Sequence, residues 1–495
     1  GQARGGGVKK NFGHFLKNAA VVSLGGLAAK AIGVVYRIPL ANMLGGYGAG
    51  LYQMAYPLFC LMLTFSSVGI PAVVARAVAA ECAAGRSGQS VLRAALKLFA
   101  LLGLGGAAML GALALPVSAL QGERALAQCY LALAPAVLFV ALIAVLRGYW
   151  QGRGVMSPTA LSEVVEQGVK VGAGLLFAAR FPHDPVSAAR GALFAVTVSE
   201  AVALLFLLLF PREKERFLRV RRTETGTLLF AALPVMASAA LLPLSQMLDS
   251  VLIVRLLARH TSRAVSLYGL FAGSALSLVN LPATLCSGLA AASVPSIAAC
   301  FAGGEREKGR ERAMTALLLC LGLALPCAVV LFAFAPLAVR LLYPALPAGD
   351  AALLVRLLRL SSVSAATLAA VDLLAACLTA MGLAKRAALS MLLAVLVKAG
   401  LQLLLVGNAS YGILGAAVAA NGCYLVAFFL DLFYTVKDKK SQKRMGQHDH
   451  DHRSRGREGG RDEARARRAR EGGPRPRAHG GASVGTEPGG GGHPV

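Results

Sequence analysis

Charge is scarce in this sequence, and acidic charge is scarcer still. Only 15% of residues are charged, and 24 Asp and Glu face 50 Lys and Arg. With 56% of residues hydrophobic, that balance excludes an ordinary soluble domain and points to a membrane protein. The nine cysteines form no CxxC pair, so the common zinc and redox motifs are absent and small apolar packing is their expected role. The glycine-rich GGYGAG at residues 45–50 lacks the Lys-Ser/Thr of a phosphate-binding loop and reads as a flexible turn, leaving no sign of an ATP engine. No cofactor or metal is expected, and the HDHDH run from His448 to His452 reads as part of a solvated polar tail. No signal peptide is evident. The basic start GQARGGGVKKNFGHFLKNAA leads into a full-length apolar run expected to be retained.

What the chain has in abundance is long apolar runs. A helix needs ~20 mostly apolar residues to cross the ~30 Å hydrocarbon core. Twelve such runs lie near residues 18–38, 51–75, 92–116, 125–147, 158–180, 188–210, 227–256, 269–299, 313–340, 351–380, 386–406 and 412–436. Their length and continuity predict an all-α polytopic membrane protein and not a barrel, whose strands alternate over about ten residues.

Lys and Arg in the connecting segments set the expected orientation. A cytoplasmic N-terminus (Arg4, Lys9, Lys10, Lys17) places Arg86 and Arg93, Arg147 and Arg153, the stretch Arg212 to Arg222, the stretch Arg306 to Arg312, and Lys385 with Arg386 on the same side. The opposite connections are poorer, with Arg124, Arg180 and Arg190; the exception is the segment holding Arg259, His260 and Arg263. Both termini are therefore expected in the cytoplasm of a bacterial cell, the chain residing in the inner membrane. The net charge of +26 sits largely in these connections and in the tail, where anionic lipid headgroups account for it better than nucleic acid. The expected domains are a basic N-terminus (1–17), an N-lobe (18–211), a basic linker (212–226), a C-lobe (227–436) and a disordered cytoplasmic tail (437–495).

An internal repeat supports two lobes. Sliding the fifth run onto the eleventh with an offset of 228 pairs Gly154 with Gly382, Ser162 with Ser390, Lys170 with Lys398 and Gly172 with Gly400, among nine identities over residues 154–176. Apolar composition alone does not explain the paired lysine. Equivalent runs are six apart and so cross in the same direction, giving two six-helix lobes related by a pseudo-two-fold axis along the membrane normal. Parallel repeats of this kind recur in secondary transporters, with the substrate site between lobes that rock.

Ionisable groups at membrane depth are costly and usually face a cavity, a partner or a pathway. The candidate substrate-binding cations are Lys30 and Arg37, seven residues apart on one helical face, Arg76, Lys170, Arg255 and Lys398. For each, a buried ion pair or snorkelling to the interface is the structural alternative. Several cations in one cavity with few free acids suit an anion such as phosphate or pyrophosphate. Glu163, Glu166 and Lys170 share one helical face, and Glu166 to Lys170 is the favourable acid-first spacing. Because Ala394 stands where Glu166 would repeat, Lys398 is expected to be the freer lysine of the pair. Asp249 is placed to approach Arg255, and Glu166, Glu200, Asp249 and Asp372 are the candidates for coupling to a cation or to the membrane potential. Pro57, Pro71, Pro234, Pro243, Pro282 and Pro295 interrupt several runs at sites where kinks are tolerated.

GLAAKAIGVVYRIPLA, GLYQMAYP and SSVGIPAVVAR, all within residues 16–81, together resemble the N-terminal region of the stage V sporulation protein B group of polysaccharide transporters. SGLAAASVPSIAACFAGGE, residues 287–305, is similar to the eighth helix of that group and of the related lipid II flippases. The superfamily also contains oligosaccharide flippases and multidrug and toxin extrusion transporters. The resemblance implies two six-helix lobes and movement of an undecaprenyl-pyrophosphate-linked saccharide between leaflets. By position it assigns Lys30, Arg37 and Arg76 to the cavity cations of the first two helices and Arg255 to those of the C-lobe. Lipid II flippases carry two further C-terminal helices, whereas this chain becomes polar after Val436. The expected function is a flippase for a polyprenyl-pyrophosphate-linked saccharide, without catalysis. A cation-coupled drug antiporter of the same fold, a membrane-embedded glycosyltransferase and a non-transporting scaffold are the alternatives.

Overall fold

Two sets of helices on either side of a central crossing define the architecture. The computed structural model describes residues 3–67, 69–210 and 240–437, with side chains from residue 32 onward except residue 34. The linker 212–226, Pro234, the start of the seventh run and the tail with its HDHDH sequence lie outside the described residues. Gly1–Thr435 form one compact unit, and of the second, Val436–Val495, only its first two residues are described.

The first half runs α1 (Ala3–Ser67), α2 (Ile70–Ala83), α3 (Gln89–Gln121), α4 (Leu126–Gly152), α5 (Ser157–Ala179) and α6 (Pro185–Leu209). The second runs α7 (Leu241–Leu257), α8 (Ala264–Tyr268), a π-helical turn (Gly269–Ala275), α9 (Leu276–Ala302), α10 (Arg306–Ala333), α11 (Ala335–Leu342), α12 (Ala348–Ala380), α13 (Ala384–Leu405) and α14 (Ile413–Lys437). Each of the twelve apolar runs falls mainly on helix where it is described. Nine helices among the described residues are long and apolar enough to span a membrane. The difference has physical causes: the first two runs merge, α5 carries three charges in 23 residues, and only 17 residues of the seventh run's helix are described.

The chain breaks within GGYGAG, where it was expected to turn: Gly45 leaves helical geometry at φ 61°, a value that glycine adopts without a Cβ penalty, and the helices on either side of this kink are otherwise continuous. A second break comes where Gly69 at φ 82° precedes α2 and Pro71 occupies its first turn. Just past the kink, glycines bring the lobes into close contact. A Cβ on Gly50 would lie 2.2 Å from the Val265 carbonyl oxygen, and one on Gly269 would lie 2.0 Å from that of Gly46. Small residues at such crossings let helix backbones approach where lipid offers no hydrophobic drive.

Three apolar clusters organise the packing. One, including Phe99, Tyr149 and Leu207, lies inside the first half, and another, including Leu317, Ala369 and Cys377, inside the second. The largest joins them, with Met54, Leu58 and Tyr130 from the first half meeting Ile253, Leu270 and Leu354 from the second. The hydrogen bonds that tie the halves cluster at one end. Asn42 donates to the Leu342 carbonyl at 2.6 Å, and Gln121 Nε2 donates to Ser250 Oγ at 2.8 Å. Arg255 donates to the carbonyls of Leu120 and Ala119 at 2.8 and 2.6 Å, capping the end of α3.

Candidate functional site

Beyond those contacts the halves diverge around a cavity of about 720 Å³. Its walls come from α1, α4 and α5 on one side and from α9 and α12 on the other. α1 contributes Tyr36 and Arg37 before the Gly45 kink and Tyr52 and Tyr56 after it, so the kink lets one helix furnish two stretches of lining. Facing them are Asn280, Thr284 and Ser287 on α9 and Asp372 on α12. Thr284 and Ser287 turn their hydroxyls back onto their own helix, donating to the Asn280 and Thr284 carbonyls. That local bonding is how hydroxyl side chains are accommodated in a membrane helix.

Three of the candidate cations need relocating. Arg76 is exposed on α2 and does not line the cavity. Arg255 caps α3, as described, instead of meeting Asp249. Lys398 is buried in α13, where Nζ lies 2.5 Å from Asp249 Oδ2 and donates to Ser245 Oγ at 3.3 Å. Gln402 Nε2 completes that cluster by donating to Asp249 Oδ1 at 2.8 Å. The reason is geometric: α13 packs on α7, so its lysine meets the one acid that α7 carries. Lys30 lies on α1, with its side chain outside the described residues.

Arg37 and Lys170 do line the cavity. Neither makes a hydrogen bond or ion pair with another described residue. The expected Glu166–Lys170 pair does not form, because Arg147 intervenes. Its Nη2 donates to Glu166 Oε2 at 2.9 Å and its Nε to Ser162 Oγ at 2.9 Å, while Gln167 Nε2 holds the other Glu166 oxygen at 3.1 Å. A guanidinium fork from the neighbouring helix engages two acceptors at once, which a lysine one turn away on the same helix does not match.

Arg147 was expected in a loop. It stands instead on the last third of α4, only 17% exposed in its side chain, where the run of apolar residues ends too close to a helix terminus for sequence to place it inside or outside. Glu166 and Asp372 line the cavity as well. Glu200 is buried on α6 behind that wall, within electrostatic reach of Glu166, Lys170 and Arg147. Asp249 belongs to the Lys398 cluster. Among the described lining residues, Arg37, Arg147 and Lys170 face Glu163, Glu166 and Asp372. Among the described residues the lining is thus formally balanced, and two of its cations, Arg37 and Lys170, are not paired within it.

The tyrosines are the feature that sequence reasoning missed. Tyr52 and Tyr56 stack with ring centroids 5.7 Å apart, and Tyr36 is 4% exposed with a hydroxyl that finds no partner among the described residues. Their spacings, 36, 52 and 56, offer a signal only once the Gly45 kink is known. Among the described residues no group of three or more metal-ligating side chains occurs.

A two-lobed, multi-pass bundle with a polar cavity between its lobes defines a membrane transporter. Comparison with known proteins narrows this. The family model for "Polysaccharide biosynthesis protein" matches residues 15–301, more than half of the chain. Stage V sporulation protein B of Bacillus subtilis (strain 168) is 31% identical over 441 residues, covering 83% of this chain and 82% of that protein. An inward-facing multidrug resistance MATE family transporter of the MOP superfamily superposes with a TM-score of 0.70 at 16% identity, over 83% of this chain and 96% of that one. The lipid II flippase MurJ in an inward closed conformation gives 0.64 at 14% identity, over 84% and 87% of the two chains. The chain belongs to the polysaccharide biosynthesis protein family and shares the fold of those transporters and flippases. The two superposed structures are those of a transporter and a flippase.

Proposed function

We propose that the protein is a flippase for a polyprenyl-pyrophosphate-linked saccharide in the bacterial cytoplasmic membrane. The observation that carries the reading is Arg37 and Lys170, two cations without partners among the described residues, on the wall of a cavity of about 720 Å³ between the lobes. That volume is of the size that takes a small-molecule group. Pyrophosphate binds through charge-assisted hydrogen bonds to the two cations. The stacked Tyr52 and Tyr56 offer an apolar face to the sugar. The polyprenyl chain stays in lipid.

In the proposed orientation both termini are cytoplasmic, with the N-lobe at 18–211 and the C-lobe at 227–436. The hydrogen-bonded end between the lobes is then extracytoplasmic, and the cavity lies toward the cytoplasmic end, ready to receive a headgroup from the inner leaflet. Glu166, Glu200 and Asp372 are the acids placed to couple transport to a cation or to the membrane potential. The anionic lipids of the cytoplasmic leaflet are partners for the basic connections.

A second reading is favoured by the acids in the same wall: a cation-coupled antiporter of cationic small molecules. A leaflet-translocation assay in proteoliposomes separates the two. A fluorescent polyprenyl-pyrophosphate disaccharide is expected to cross with the parent protein and to cross poorly with Arg37→Ala or Lys170→Ala. Unchanged rates in both variants would sink the anion reading, and uptake of an organic cation lost in Glu166→Gln would establish the other.

A further inference from the structure

A second cavity lies on the outer face of the N-lobe, away from the transport pathway. It has a volume of about 620 Å³ and is formed where the start of α4, the end of α5 and the start of α6 meet. Its body is apolar, built on Phe177, Phe181 and Phe194, with Phe181 and Phe194 substantially exposed. Phe177 and Phe194 lie in contact, ring centroids 6.1 Å apart. Two guanidiniums, Arg180 and Arg190, join the lining at the helix ends.

Large apolar side chains left open on the flank of a membrane bundle face acyl chains, so the apolar body is in a place where lipid fills it. The arginines decide which lipid. Arg190 Nη1 donates to Gln128 Oε1 at 2.9 Å, which orients it with a neutral partner, while the nearby Asp184 lies within electrostatic reach. Arg180 makes no hydrogen bond or ion pair with another described residue. One acid stands close by, Asp184, whose carboxyl is held below the usual range by hydrogen bonds from Ser187 and is committed to capping α6 through the Val186 and Ser187 amides. His183 lies in the same connection. Two arginines against one engaged carboxylate leave a net positive mouth on an apolar slot, at the ends of α5 and α6.

We propose that this groove is a binding site for one anionic glycerophospholipid, its phosphate held between Arg180 and Arg190 and an acyl chain lying along the phenylalanines. The site is independent of the flippase reading, since none of its residues lines the central cavity. It sits at the end of the bundle opposite the basic connections, so it is not part of their general attraction for acidic lipid.

Native mass spectrometry of the full-length protein in non-ionic detergent tests this with phosphatidylglycerol against phosphatidylcholine of identical acyl chains. The parent is expected to retain one phosphatidylglycerol at roughly a tenfold lower lipid concentration than phosphatidylcholine, as befits two interfacial arginines. Arg180→Gln/Arg190→Gln is expected to abolish that preference, and Arg340→Gln/Arg356→Gln, two exposed arginines on the other lobe, to keep it. Ala132→Phe leaves both arginines in place and plugs the groove, so it too is expected to lose the tightly held lipid. Free glycerol phosphate at millimolar concentration is expected not to compete. Equal retention of the two lipids by the parent, an undiminished preference in the double glutamine variant, or competition by free glycerol phosphate would each overturn the proposal.

Discussion

The repeat-related helices α5 and α13 begin alike and end up in opposite circumstances. Each follows a glycine with positive φ, Gly154 at 75° and Gly382 at 79°, and each buries its matching serine, Ser162 or Ser390. Each presents a lysine eight residues later. Yet Lys170 lines the cavity without a partner, while Lys398 is enclosed by Asp249, Ser245 and Gln402 in contact with α7. The expectation that Lys398 is the freer of the two is inverted. A repeat transmits the position of a side chain on its helix, whereas the partner comes from whichever helix packs there, and those helices have diverged. In the N-lobe Arg147 arrives from α4 and takes Glu166; in the C-lobe an acid arrives from α7 and takes the lysine.

That contrast is open to direct attack. The largest effect is expected from Lys398→Ala, which strands Asp249 in the bundle and is expected to cost about 3 kcal/mol of stability. Thermal unfolding in detergent reads it, and a melting point equal to that of Lys170→Ala would refute the assignment of structural and functional roles. Lys170→Ala is expected instead to leave stability nearly intact and lower translocation of the lipid-linked saccharide about tenfold to a hundredfold, the worth of one charge-assisted contact. Translocation at the parental rate would remove Lys170 from the pathway. A smaller change is expected from Lys398→Met combined with Asp249→Leu. Replacing a whole buried pair by apolar side chains is expected to restore melting to within about 1 kcal/mol of the parent, and failure to recover would show that Lys398 does more than neutralise Asp249. The smallest effect is expected from Glu166→Gln, which frees Arg147 toward the cavity and shifts the saccharide concentration for half-maximal transport by only a few-fold. A loss as large as that of Lys170→Ala would make Glu166 a coupling group in its own right.

Much of the fold was legible because its signals are local. Apolar runs of membrane-spanning length, the offset of 228 and the glycine pair Gly154/Gly382 can all be read along the chain, and the helices fall where they indicate. The kink falls within the segment that the sequence indicated. GGYGAG offers several glycines to a turn, but only Gly45 leaves helical geometry. Of the site, Arg37, Lys170, Glu166 and Asp372 were recognised by being charged at mid-span, which is a one-dimensional property. Arg147 was missed because a charge near a helix end reads as a loop. Arg76, Arg255 and Lys398 were included because sequence registers the presence of a charge, not what stands opposite it.

The sequence by itself determined that this is a helical membrane protein, that its two halves repeat, and most of the charged residues that line the cavity, since hydrophobic length and periodicity are properties of the chain alone. The tertiary structure decided which charges cancel. Pairing depends on distances between side chains far apart in sequence, such as Lys398 with Asp249 or Arg147 with Glu166, and on a kink at Gly45 that brings Tyr36, Arg37, Tyr52 and Tyr56 to one wall. Helix packing fixes those distances, and no repeat or spacing encodes them.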